Sequence, residues 1–158
     1  MAEKTTPVFV YATANDVSAL PPELLRKGRF DEMFSVDLPH EEERKEILSI
    51  HLRKKNRSHL IGKKPGQIDL DQFAGEPTKG FSGAEIEAAL VEALYSAFDA
   101  GKELNQFDLQ NALEDTTPLS KTMSEKIAAI RKWCEARTRP ANRQAVERSP
   151  LKGRTVEA

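Results

Sequence analysis

The chain has 158 residues, 39% hydrophobic and 31% charged, with a formal net charge of −1. That length fits one ordinary domain or two small pieces, and the near-zero charge excludes a bulk nucleic-acid binder. A single cysteine, Cys134, excludes an internal disulfide framework, and no run nears the ~18 apolar residues of a membrane span, both of which suit a cytoplasmic protein.

Pro7 to Thr13 is a near-continuous apolar, β-rich run, the pattern of a strand covered on both faces. It leads into the polar pair Asn15-Asp16. Pro21-Pro22 permits a short helix start at Glu23-Leu24-Leu25, and Arg26 and Arg29 follow before Phe30-Asp31. Met33 to Leu38 alternates loosely and is a second strand candidate, stopped by Pro39.

From Glu41 the pattern turns helical. Glu41, Glu42 and Glu43 stand where a helix N-terminus favours acids, and Arg53, Lys54 and Lys55 where its C-terminus favours bases. Ile47, Leu48, Ile50, His51 and Leu52 carry the apolar side. His40 is a weaker cap than Asp or Ser, so this helix is expected to fray at its start. A basic loop over Asn56–Gly66 leads to Asp69-Leu70-Asp71-Gln72, which reads as a capping box opening a short helix.

Ser82-Gly83-Ala84-Glu85 is a second, better capping box. Behind it Ile86, Ala89, Leu90, Ala93, Leu94, Ala97 and Phe98 form an apolar helical stripe that Gly101 ends. Phe107, Leu109, Ala112 and Leu113 mark another short helix. Thr122 and Glu125 are placed to cap a last one, with Met123, Ile127, Ile130 and Cys134 on one face. Past Arg139-Pro140 the periodicity disappears, and residues 140–158 read as a disordered tail.

An apolar strand ending in an amide, followed by two arginines, suits phosphate chemistry. The amide can orient water, and planar, permanently charged guanidinium groups match phosphate oxygens. Plainer readings stand beside this one. Asn15 could close an Asx turn. Arg26 and Arg29 could be solvated loop charges, with Arg29 paired to Asp31. His51 could be an ordinary half-buried helical residue, and Gly83 and Ala84 simply the first helical positions after Ser82. No Gly-x-x-x-x-Gly-Lys-Ser/Thr occurs and no apolar run ends in paired acids, so the elements that grip nucleotide phosphates and magnesium are missing from these 158 residues. The three histidines and Cys134 have no metal-ligand spacing.

Ala12-Thr13-Ala14-Asn15, Leu24-Leu25-Arg26-Lys27-Gly28-Arg29-Phe30-Asp31, Leu38-Pro39, Ile47-Leu48-Ser49-Ile50-His51 and Gly80-Phe81-Ser82-Gly83-Ala84-Glu85 occur in that order. Together they resemble the AAA subgroup of the AAA+ ATPases, over about Val8 to Leu113. Pro118-Leu119-Ser120 and Ile130 to Arg137 are similar to single-module AAA proteins of cyanobacteria and algal plastids.

The resemblance implies an α/β fold: the C-terminal part of a P-loop NTPase core, with two strands, followed by a mainly α-helical lid. Residues 1–39 would be the core piece, 40–116 the lid, 117–139 a C-terminal helix and 140–158 the tail. Met1 would then be an internal methionine or the start of a truncated gene. By the same resemblance Asn15 is the sensor-1 amide, and Arg26 and Arg29 are arginine fingers acting in trans on a neighbouring subunit's nucleotide. Ile47, His51, Gly83 and Ala84 line the adenosine side. The cofactor is ATP with Mg2+, whose ligands this chain lacks. The complete module would form a hexameric ring that remodels protein clients, with no nucleic-acid or membrane partner, and this chain alone would be inactive. The alternatives are a non-catalytic assembly or binding module and a truncated gene fragment.

Overall fold

The computed structural model describes residues 8–17, 20–21, 23 and 30–141. The chain divides into two compact units, Met1–Met33 and Phe34–Ala158.

In the first unit residues 8–14 form no ladder, and Phe9 and Tyr11 are 92% and 81% exposed. The expected strand over Pro7–Thr13 is therefore not present among the described residues. A run apolar on both faces becomes a strand only when neighbours supply both hydrogen-bond partners and cover, and the described residues supply neither. The helix start at Leu24-Leu25 lies outside the described residues.

The second unit is mainly helical. The expected strand at Met33–Leu38 shortens to β1, Phe34–Ser35. Helix α1 spans Glu41–Lys54, with three acids in its first turn and bases in its last. His40 does not leave it frayed. Its backbone is extended (φ −76°, ψ 175°), so the imidazole Nδ1 reaches the Glu43 amide at 3.3 Å while Glu43 Oε2 accepts from the His40 amide at 3.0 Å. An unprotonated ring nitrogen accepts as a carboxamide oxygen does, and the reciprocal box closes.

A 3₁₀ turn at Ser58–Leu60 and a bridge between Ile61 and Ile68 order the loop that follows. Helix α2, Leu70–Ala74, is capped by Asp69 through the Asp71 amide alone, without the reciprocal half of the expected box. Helix α3, Gly83–Asp99, starts at the Ser82–Glu85 box as expected. It ends where Gly101, at φ +64°, donates its amide to the Phe98 carbonyl. Helix α4, Gln106–Asp115, carries a full cap from Asn105.

Leu48 and Leu52 of α1, Phe73 of α2, Ile86, Leu90, Ala93 and Ala97 of α3, and Leu109 and Leu113 of α4 make one continuous core with Ile68 and Leu104. Two expected stripe positions miss it. Phe98 is 82% and Phe107 67% exposed although their neighbours Ala97 and Asp108 are buried, so each lies off the buried face of its helix.

Helices α5 (Leu119–Thr122) and α6 (Ser124–Glu135) differ from the rest, for neither contains a buried residue. The expected Thr122 cap of α6 is not made. Met123 occupies the cap position without a side-chain bond, and Thr122 Oγ1 donates instead to the Leu119 carbonyl. Beyond α6 the chain pairs β2, Arg139–Pro140, in parallel with β1, in the register Phe34 to Arg139 and Ser35 to Pro140. Pro140 thus belongs to a ladder rather than a tail, while residues 142–158 lie outside the described residues. No helix among the described residues is long and apolar enough to cross a membrane.

Candidate nucleotide-facing site

Four of the sequence-predicted residues meet where α1 passes the N-terminus of α3. Ile47 and His51 sit one turn apart on α1. Gly83 opens α3, and a Cβ built on it would stand 3.6 Å from Ile47 Cδ1, so the helix start lies directly against the isoleucine. Ala84, next in line, is exposed. The result is a helix start of two small residues, Gly83 half-buried and Ala84 exposed, with Gly83 set against the half-buried Ile47.

His51 closes the other side. Its side chain is 13% exposed, and Nδ1 lies 3.3 Å from Glu87 Oε1 of α3, within ion-pair range. That Nδ1 nevertheless makes no hydrogen bond. The separation is short, but the alignment a hydrogen bond needs is missing, so the buried nitrogen is left unsatisfied.

Glu85 fixes the turn. Oε2 accepts from both the Ser82 amide and the Ser82 hydroxyl at 2.7 Å, and the Ser82 hydroxyl in turn accepts from the Glu85 amide. Oε1 accepts from the Leu119 amide at 2.6 Å. Gly80 enters the turn at φ +81°, and any Cβ there would collide with the Ser120 side chain. Backbone conformation and close approach together require glycine at this position.

The sequence reading missed Arg44. It is 7% exposed and spends its guanidinium on neutral acceptors. Nε reaches the Ala74 carbonyl and Thr78 Oγ1, Nη1 the Pro39 carbonyl, and Nη2 the Ala74 and Gly75 carbonyls. A cation at the C-terminus of α2 answers that helix's unpaired carbonyls. Burial pushes the Arg44 pKa down, against the upward pull of Glu41 and Glu76. The signal was present in the sequence, since Arg44, Leu48 and Leu52 follow one another at helical spacing on the buried side of α1.

Asn15 is exposed in the first unit. Arg26 and Arg29 lie outside the described residues. Among the described residues no cluster of His, Cys, Asp and Glu could hold a metal ion.

No family model matches the chain. Individual proteins do. The AAA domain-containing protein ycf46 of Gracilaria tenuistipitata var. liui is 47% identical over 133 residues, 84% of this chain and 26% of that protein. The proteasome-activating nucleotidase of Sulfurisphaera tokodaii is 43% identical over 108 residues, covering 68% and 26%. The ATP-dependent zinc metalloprotease FtsH 2 of Sphaerobacter thermophilus is 36% identical over 115 residues, covering 72% and 16%. These matches bear out the resemblance to the AAA+ ATPases. The chain spans about a quarter or less of the length of these curated relatives. Its mainly helical second unit with a small parallel sheet agrees with part of an AAA fold ending in a helical lid. The AAA similarity thus reaches nucleotide-using enzymes as well as the ycf46 proteins.

Proposed function

We propose that this chain is the lid-bearing part of an AAA ATPase and supplies the adenosine side and the phosphate-sensing groups of an ATP site completed by other segments. The observation that carries the reading is the junction of α1 and α3, where Ile47, His51 and Gly83 converge beside exposed Ala84. Small residues at a helix start let a flat base approach the backbone, and the isoleucine offers it apolar contact, with His51 one turn along α1.

Those residues fit a nucleoside. Among the described residues no cluster of His, Cys, Asp and Glu could hold Mg2+. In this reading Asn15 holds the attacking water by its amide. Arg26 and Arg29 reach the γ-phosphate of a neighbouring subunit, where such fingers contribute about 10³–10⁵ in rate. The assembly is a homo-oligomeric ring, hexameric as the family resemblance implies, acting in the cytoplasm or an equivalent compartment on protein clients. The chain by itself does not turn over ATP.

The test has two parts. Titrating the 158-residue chain with ADP while following backbone amide resonances should shift Gly83, Ala84 and the α1 amides around His51. If shifts fall elsewhere, or none appear at saturating ligand, the adenosine assignment fails. Magnesium-dependent ATP turnover by the purified chain, surviving removal of contaminants, would overturn the incomplete-site reading.

A further inference from the structure

Residues 119–141 return to earlier residues of the second unit and touch them at three separated places. At the first, the Leu119 amide donates to Glu85 Oε1 at 2.6 Å, and Ser120 covers Gly80. At the second, Arg131 of α6 forks onto Asp37, with Nε 2.9 Å from Oδ2 and Nη2 2.8 Å from Oδ1. At the third, β2 lies along β1 and the Ala141 amide donates to the Ser35 carbonyl at 2.8 Å. No residue of α5 or α6 is buried, so these directed contacts hold the segment in place of a hydrophobic core.

The order of these contacts matters. Along 119, 131 and 141 the partners run backwards through 85, 37 and 35. One continuous stretch therefore joins the turn at Ser82–Glu85 to the segment Phe34–Pro39 that leads into the helical unit. Glu85 is shared between the two, with one carboxylate oxygen holding the turn and the other the stretch. Arg44 holds the far end of the same connector through the Pro39 carbonyl.

We infer that residues 119–141 act as a clasp that couples the Ser82–Glu85 turn to the Phe34–Pro39 connector, so that whatever steadies the turn also steadies the connector. A segment held by exposed ion pairs and a short ladder opens locally at far lower cost than the core, which is what a coupling element requires. A ligand on the turn then shifts the population of closed clasp by its preference for the ordered turn. The clasp rests on the adenosine reading only for the identity of that ligand.

Amide hydrogen exchange on the full chain without nucleotide tests it. Leu119→Pro is the decisive variant. Pro118 already has φ −69° and ψ 145°, which suits a residue before proline, and Leu119 is the first residue of α5, where proline fits. The change removes the N–H that binds Glu85 and little else, while Leu119→Ala keeps it. Leu119→Pro should speed exchange of the distant Ala141 amide about two- to fivefold over Leu119→Ala. Arg131→Gln should likewise speed the Met123 amide, which bonds the Leu119 carbonyl. Swapping the charges in Asp37→Arg with Arg131→Asp should restore the slow rate.

Amides of Leu90 and Leu109 report whether the core is intact. If Leu119→Pro disturbs them, the Arg131→Gln and charge-swap variants decide. Equal Ala141 rates in both Leu119 variants with an intact core, or an unchanged Met123 rate in Arg131→Gln, would overturn the clasp. ADP that fails to shift Gly83 and Ala84 overturns the adenosine reading and leaves the clasp standing.

Discussion

Helices α3 and α6 are both amphipathic by sequence, yet α3 buries Ile86, Ala89, Leu90, Ala93 and Ala97 while α6 buries nothing. The difference lies in their neighbours. Helix α3 lies between α1 and α4, whose leucines interlock with its stripe. The apolar residues of α6, Ile127, Ile130 and Trp133, have only partial cover. A periodic apolar face states a demand for burial, and only a partner surface meets it. The two regions therefore hold by different physics, packing in one and directed polar contacts in the other.

Truncating a core side chain should separate them most strongly. Leu90→Ala should lower stability in urea by about 2–5 kcal/mol, whereas Ile130→Ala, on the half-covered α6, should cost less than about 1 kcal/mol. Comparable losses would mean that α6 belongs to the core after all.

Removing the buried cation tests the polar exception inside the packed region. Arg44→Ala leaves the carbonyls of Pro39, Ala74 and Gly75 without this donor. A loss of about 2–3 kcal/mol is expected, only partly recovered in Arg44→Lys, because an ammonium cannot span the same acceptors. Chemical denaturation of the three proteins measures it, and equal stability of wild type and Arg44→Ala would show the guanidinium to be dispensable.

The smallest effect belongs to acid. Burial raises the Asp37 pKa, but the hydrogen bonds from Arg131 and the Leu38 amide, with the Arg131 charge, outweigh it and hold the carboxyl below its ordinary value. A carboxylate with a depressed folded pKa stabilises at pH values above its unfolded pKa, about 3.9, and that contribution is lost as pH falls through the folded value. The Asp37–Arg131 contact should therefore persist below the ordinary carboxylate pKa and loosen only as pH falls through the lowered folded value. Asp71, also held low by Lys45 and Lys63, titrates in the same direction, so Asp37→Asn isolates the clasp. In that variant the protection of the Ala141 amide, corrected for the intrinsic pH dependence of exchange, should respond less to acid than in wild type. An acid response equal to wild type would detach the pH effect from Asp37.

Much of the second unit was legible because its signals are local. The Ser82–Glu85 box, the acids opening α1, Gly101 closing α3 and the stripe of α3 each depend on residues within a few positions of one another. His40 was misread for an instructive reason: cap rankings describe the average residue, whereas this imidazole meets a glutamate placed to close the box. The clustering of Ile47, His51 and Gly83 came from a resemblance, since nothing local in α1 announces the start of α3 as its neighbour.

Sequence alone placed helices α1 to α4, the start of α3 and the end of α3 at Gly101, and showed which faces seek cover, because hydrogen bonds and side-chain spacing within one helix decide these. Tertiary structure decided that Phe98 and Phe107 stay exposed, which carbonyls surround Arg44, and that Arg131 and β2 return to Asp37 and β1. Those outcomes depend on contacts between residues up to 106 positions apart, as between Ser35 and Ala141. No local pattern encodes them, because their free energy arises only when the intervening helices have brought the two ends together.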